Sequence, residues 1–271
     1  MKNKARDYKR TTIRRLDTLS SNECAAPDCS NKLIAKDGQT IVSKICHIEA
    51  ASPDGPRYNP NMTDDERRHF DNLILLCDEC HSIIDNKENE SKYPVELLND
   101  WKRNHEGKKQ YSILTQKTGL LNAAINAISE YDFDDNDEIL ESPKAFNPED
   151  KIAFNSIKRN KNLIKEYSVF FPKINAIYDE LESQGSFRKE KLLRNIKLIY
   201  SKIKGKYVLD SDNEIEIIQL NADNILEDVE NQLFEMIEDS ATLNEDIAFS
   251  LPIIMVDAFL RCKILENPSA L

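Results

Sequence analysis

Six cysteines and four histidines are the residues of this chain best suited to metal and acid–base chemistry, and they are unevenly spread. Cys24, Cys29, Cys46, Cys77 and Cys80 fall in the first 110 residues together with His47, His69, His81 and His105, leaving Cys262 alone beyond them. Two pairs stand out, Cys24-Ala-Ala-Pro-Asp-Cys29 and Cys77-Asp-Glu-Cys80, with four and two residues between the thiols. Both spacings let paired thiolates meet one tetrahedral ion, and a four-cysteine set is a common structural Zn²⁺ site in a small domain. Four buried reduced thiols are the competing reading, which the paired spacing disfavours. Clustered cysteines in a chain that reads as cytoplasmic suggest metal before disulfide, because that compartment keeps thiols reduced.

A second set lies around the same knuckle. His47 closes a β-branched stretch, Asn72 opens an apolar run, and His81 follows Cys80 directly. Hydrolysing a phosphodiester needs a general base for water, a cation to polarise the phosphoryl group, and something to hold the base in its productive tautomer. An imidazole titrating near neutrality suits the first role. His81 and Asp85, at i and i+4 on one helical face, suit the second, and a side-chain amide suits the third. Arg57 sits in a turn-rich loop, where it either clamps a phosphate or pins its own loop to an acid. His69 reads as a surface residue, His105 as structural, Trp101 as a core anchor and Cys262 as a small core residue.

These residues need elements to position them. Residues 40–48 are β-branched and loosely alternating, which predicts a short strand. Residues 52–60, with Pro53, Gly55, Pro56 and Pro60, form a long ordered loop. The run from Asn72 to Cys77 enters the knuckle, and His81 to Asp85 is a helical turn. Tyr93 to Glu106 reads as an amphipathic helix stopped by Gly107. Six acids and no base between Tyr131 and Glu141 mark a linker. Beyond Asp150 apolar residues recur at helical spacing and predict four or five helices. The last segment, Ile247 to Leu265, is apolar nearly all round and belongs in the middle of a bundle, with Asp257 and Arg261 either paired at i and i+4 or facing solvent. The fold class expected is therefore α+β: a basic arm over 1–20, a zinc-bearing α+β domain over 21–110, a helix and acidic linker over 111–149, and an all-α domain over 150–271.

Charge divides the same way. The chain of 271 residues carries a net −11, which taken whole argues against a nucleic-acid partner. Residues 1–110 hold 19 basic and 19 acidic side chains, so the excess lies entirely beyond them. Seven basic residues in the first fifteen, including Arg10, Arg14 and Arg15, form either an arm along phosphates or a solvated helix face. The amino-terminal residues lack the apolar stretch of a signal peptide, and no run approaches the roughly 18 apolar residues of a membrane span.

In its order of residues, Cys24…Cys29…Cys46-His47-Ile48…Asn72-Leu-Ile-Leu-Leu-Cys77-Asp-Glu-Cys80-His81, the chain resembles the HNH endonucleases. The likeness covers residues 20–106. His-Ile-x-Ala from His47, Gly-Pro-Arg ending at Arg57, Ile84-Asp85, and Trp-Lys-x-x-His-Glu from Trp101 resemble the branch found in bacterial anti-phage effectors. What the resemblance implies is a ββα-metal finger with His47 as general base and Asn72 orienting it or helping to hold the phosphate. His81 with Asp85 would bind Mg²⁺ or another catalytic divalent ion. Many members carry Asp or His before the base as a further ligand; here the position is Cys46, a poor partner for Mg²⁺ that reads as a buried, inert thiol.

The ending Val256 to Pro268 resembles the C-terminal domains of effectors in ABC-type three-component systems, which implies association with a protein partner, an ATPase among the candidates, or self-association over residues 150–271. The function expected is metal-dependent hydrolysis of DNA phosphodiesters in anti-phage defence. The alternatives are a non-catalytic zinc module that binds nucleic acid, and an RNA-cleaving enzyme.

Overall fold

The computed structural model describes residues 4–116, 118–130, 145–209, 213–238 and 244–268. Two compact units divide between Lys117 and Thr118. The first begins with a 3₁₀ turn, Lys4–Arg6, and helix α1, Arg10–Ser20. Strand β1, Ser43–His47, follows, then the short helix α2, Asp64–Arg67, and strand β2, Leu73–Cys77. Helix α3, Asp78–Ile84, starts directly after β2, and helix α4, Val95–Gln116, completes the unit.

The two strands pair antiparallel, Ser43 opposite Cys77 and His47 opposite Leu73. Every residue of β2 is buried, which explains its unbroken apolar sequence. The first strand is shorter than its composition suggests because Thr40 is taken by a turn. The Asp37 carboxylate accepts hydrogen bonds from the backbone of Gln39 and Thr40 and from the Thr40 hydroxyl.

Between the strands runs a 25-residue connection over residues 48–72 that is held by side chains, not by a sheet. A capping box starts α2: the Thr63 hydroxyl accepts from the Glu66 amide while the Glu66 carboxylate accepts from the Thr63 amide. Gly55 permits a close approach, since a Cβ there would lie 2.6 Å from that of Ala50.

Helix α4 does not stop at Gly107 but continues to Gln116. A glycine inside a helix costs only about 1 kcal/mol against alanine, and Gly107 does not take the left-handed conformation that would end it. On the same helix Trp101 packs against the core, edge-on to Tyr93 at 5.7 Å between centroids, the anchor its sequence position suggests.

The described helices of the second unit are α5, Thr118–Ser129; α6, Pro148–Phe154; α7, Lys161–Ser168; α8, Phe171–Ser183; α9, Arg188–Val208; α10, Glu214–Glu238; and α11, Asn244–Leu260. The run expected as four or five helices beyond Asp150 is more divided. It breaks at Ser156, in the left-handed region at φ 56°, and again before Phe171. Helix α5 buries Leu121, Ala124, Ile125 and Ile128, so it belongs to this unit and not to a linker. The acidic stretch 131–141 expected as that linker lies outside the described residues.

Residues 251–260 of α11 are buried all round, as their composition requires. The helix ends at Leu260, and a turn takes Arg261 to Leu265. Asp257 and Arg261 do pair, Nε to Oδ1 at 2.9 Å, both buried, and the Tyr178 hydroxyl donates to the other Asp257 oxygen at 3.0 Å. Among the described residues no helix is long and apolar enough to cross a membrane.

Candidate metal centre and imidazole cluster

The first cysteine pair lies on the loop after α1, tied to β2 by the Ala25 amide donating to the Leu75 carbonyl. The second spans the junction of β2 and α3, with Cys77 capping the helix and Cys80 in its first turn. The four sulfurs lie within 4.8 Å of one another, and those of Cys29 and Cys77 are 3.8 Å apart. A tetrahedral ion with bonds of about 2.3 Å to sulfur sets its ligands about 3.8 Å apart, so the set could bind a metal such as zinc. Donors face two of the sulfurs: Cys24 Sγ accepts from the Cys77 amide at 3.3 Å, and Cys77 Sγ accepts from the Cys80 amide and the Asn31 side chain, each at 3.5 Å, while burial pushes the Cys24 and Cys80 thiols up. Burial raises the Cys77 thiol, but the hydrogen bonds it accepts outweigh this and bring it down to about 7.

Cys46 is no part of this cluster. Successive residues of a strand point to opposite faces, and Cys46 turns into the core beside Ile74 and Leu76 while His47 faces the other way. Burial raises its thiol well above the ordinary value, as expected of an inert cysteine.

His47 ends β1 with its Nε2 3.0 Å from the carbonyl of Ala5. A carbonyl only accepts, so Nε2 carries the proton and Nδ1 keeps its lone pair. Burial lowers the imidazole pKa and the Ala5 carbonyl opposes it; the net direction is downward, which keeps the ring neutral at pH 7. The Tyr8 ring lies 5.7 Å from it, centroid to centroid, its phenol pushed up to about 12 mainly by burial. The Arg68 guanidinium donates to the carbonyl of Asp7 and fastens this segment. Ala5 and Tyr8 are site residues that pattern reading missed, since about forty residues separate them from His47.

Asn72 is buried, and its amide is fully used. Oδ1 accepts from the Glu49 amide at 2.8 Å, while Nδ2 donates to the carbonyls of Glu49 and Arg67, both at 2.9 Å. It therefore fastens the backbone two residues beyond His47, and both of its donors are engaged. His81 Nε2 is 3.0 Å from Asp85 Oδ2, both partly exposed at the end of α3. Asp85 is near enough to His47 to oppose the lowering of its pKa.

Two of the arginines expected to meet nucleic acid are committed elsewhere. Arg57, in the left-handed region at φ 59°, donates from Nε to the Ile48 carbonyl at 2.8 Å and from Nη1 to the Ile84 carbonyl at 2.9 Å. Its Nη2 lies 3.8 Å from Asp85 and makes no hydrogen bond among the described residues, while its other two nitrogens pin the loop. Arg15 is buried over the Phe70 ring at 3.6 Å, where the Lys102 ammonium also lies at 3.6 Å. The arm is thus largely helix α1, with Arg10 exposed and Arg14 half-buried. His69, expected at the surface, is half-buried and caps a 3₁₀ turn, accepting from the Asp71 amide. His105 is structural, its Nε2 3.2 Å from the carbonyl of Ser20. Cys262 lies past the last helix, in a turn at φ 56°.

Residues 120–266 match the family described as C-terminal domain 10 of the ABC-three component (ABC-3C) systems. The chain belongs to that family. The match begins thirty residues before the expected boundary at 150 and takes in nearly all of α5, in agreement with the division of the units at Thr118. No curated protein and no solved structure matches the chain. In this ABC-3C chain the cysteine and imidazole clusters lie wholly outside the matched domain, in the first unit.

Proposed function

We propose that this ABC-3C chain is a metal-dependent HNH-type endonuclease acting in anti-phage defence. Its first unit would cut DNA, and its C-terminal domain would join it to the other components of the system, an ATPase among them. The observation that carries the chemistry is His47: a neutral imidazole whose Nε2 is tied to Ala5, leaving Nδ1 as the basic atom.

In this reading His47 Nδ1 takes the proton from the attacking water while Asn72, holding Glu49, keeps the end of β1 from shifting. His81 and Asp85 would hold a divalent cation such as Mg²⁺. Their ligand atoms lie 3.0 Å apart, and adjacent ligands of an octahedral ion with bonds of about 2.1 Å sit about 3.0 Å apart. Such an ion, when bound, offsets charge on the phosphate and its leaving oxygen. Zn²⁺ in the four-cysteine site would fix the junction of β2 and α3 from which His81 projects. Arg10, Arg14 and the other basic residues near α1 would face the DNA backbone, which the acidic second half repels.

The test is cleavage of supercoiled plasmid in Mg²⁺, Mn²⁺ or Ni²⁺ by the wild type and by His47→Ala, with single-stranded RNA as a second substrate. Loss of cleavage in the variant is expected, and equal activity would overturn the mechanism. One observation favours a non-catalytic zinc module instead: among the described residues the four cysteines are the only cluster of three or more metal-ligating side chains. That reading predicts nucleic-acid binding without cleavage, indifferent to His47→Ala.

A further inference from the structure

Arg57 has one nitrogen more than its loop uses. Nε donates to the Ile48 carbonyl at 2.8 Å, and Nη1 donates to the Ile84 carbonyl at 2.9 Å and reaches that of Tyr93 at 3.4 Å. Two nitrogens thus tie the end of β1 to the end of α3 and to the segment before α4. The main chain is fastened separately, its amide donating to Glu90 Oε1 at 2.8 Å. Nη2 is buried and among the described residues meets no hydrogen-bond acceptor, in a side chain only 3% exposed. A buried donor left unpaired is destabilising, and so is a residue other than glycine held at φ 59°. Pinning the loop does not account for Nη2.

What Nη2 faces is Asp85 Oδ1, at 3.8 Å. The other oxygen of that carboxylate, Oδ2, lies 3.0 Å from His81 Nε2. The two oxygens are therefore divided, Oδ1 toward a fixed cation and Oδ2 toward the imidazole. At 3.8 Å the contact with Arg57 is longer than a hydrogen bond and acts by charge. The Asp85 main chain is already held, its amide donating to the His81 carbonyl at 2.9 Å. What remains for Arg57 to set is the rotation of the carboxylate.

We propose that Arg57 is a positioning residue that makes Asp85 offer a single oxygen to a cation, and so selects small octahedral dications over Ca²⁺; this rests on the reading of His81 and Asp85 as cation ligands. Mg²⁺ and Mn²⁺ take octahedral ligand sets, for which one carboxylate oxygen beside an imidazole is enough. Ca²⁺ is larger, takes more oxygens, and often takes both from one carboxylate. With Oδ1 drawn to the guanidinium, the second oxygen is withheld. A guanidinium suits this task better than an ammonium because its nitrogens are rigidly spaced: two are held by carbonyls, and they aim the third. Its positive charge weakens the attraction of the site for every dication alike, so it drops out of the ratio between two such ions.

The test is electron paramagnetic resonance of Mn²⁺ titrated into the full chain, with Ca²⁺ as competitor, in the wild type, His81→Ala and Arg57→Gln. Saturable Mn²⁺ binding that is lost in His81→Ala is expected. In Arg57→Gln the ratio of the Ca²⁺ to the Mn²⁺ dissociation constant should be at least tenfold smaller than in the wild type. Absence of Mn²⁺ binding, or binding indifferent to His81→Ala, would overturn the cation reading and this proposal with it. Binding that needs His81 but shows the same ratio in Arg57→Gln, whether both ions bind as before or both are weakened by one factor, would overturn this proposal alone and leave Arg57 a loop anchor. Should Arg57→Gln fail to fold, as seen in the amide resonances of the first unit, Arg57→Lys decides. It keeps the charge but cannot hold the loop and face Asp85 at once, and its ratio should be at least threefold smaller than that of the wild type.

Discussion

Replacing Asn72 by alanine removes three hydrogen bonds that no other side chain can remake. The lost bonds are the one accepted from the Glu49 amide and the two donated to the carbonyls of Glu49 and Arg67, in a site only 7% exposed. A net contribution of about 1 kcal/mol per bond gives a loss of about 3 kcal/mol, with more where a carbonyl is left dry. Asn72→Asp should do worse than alanine, since both donors become acceptors and a carboxylate then faces two carbonyls. Because the chain has two units, the measurement should be local: amide hydrogen exchange at Glu49 and Ile48, followed in full-length protein with denaturant titration of the first unit. The expected result is a fall in the opening free energy of about 3 kcal/mol for alanine, a larger one for aspartate, and no change in the helices of the second unit. A loss below about 0.5 kcal/mol in Asn72→Ala would refute the view that this amide locks the loop behind His47.

Three further outcomes follow from the same structure. Purified protein should carry one zinc per chain by elemental analysis, and Cys77→Ser or a strong chelator should remove it and melt the first unit, seen as lost dispersion of its amide resonances. Because burial holds the His47 pKa below its ordinary 6.5 and the neutral ring is the base, cleavage should persist as pH falls through 6.5 and decline only below it; an acid limb at or above 6.5 would count against His47. Asp257→Ala leaves Arg261 and the Tyr178 hydroxyl buried without their partner, and the melting of the second unit should show a loss of about 3–5 kcal/mol, the size found for broken buried pairs.

Much of the site could be read from local spacing. The two cysteine pairs meet because each pair is a short knuckle, and β2 delivers one of them directly into α3. His81 and Asp85 meet because i and i+4 share a helical face. The buried strand and the apolar final helix were legible for a related reason, since a segment apolar on every side has no solvent-facing solution. What pattern reading missed involves partners far apart in the chain. Arg57 and Arg15 look like free cations in a loop and an arm, yet one is held by carbonyls at Ile48 and Ile84 and the other lies on Phe70. Gly107 looks like a stop, but nothing in its neighbourhood enforces one.

By itself, then, the amino-acid sequence determined which chemistry is present and in which half: thiol pairs and imidazoles in a charge-balanced first part, an acidic helical second part. These properties depend on residue type and on separations of a few positions, which a short stretch of backbone imposes. The tertiary structure alone decided which atoms are left free to act. Whether His47 presents Nδ1 or Nε2 depends on a carbonyl forty-two residues away, and whether Asn72 has a donor to spare depends on the carbonyls of Glu49 and Arg67. Hydrogen-bond capacity is finite and is spent in three dimensions, so the groups left with unspent capacity can be identified only after the chain has closed on itself.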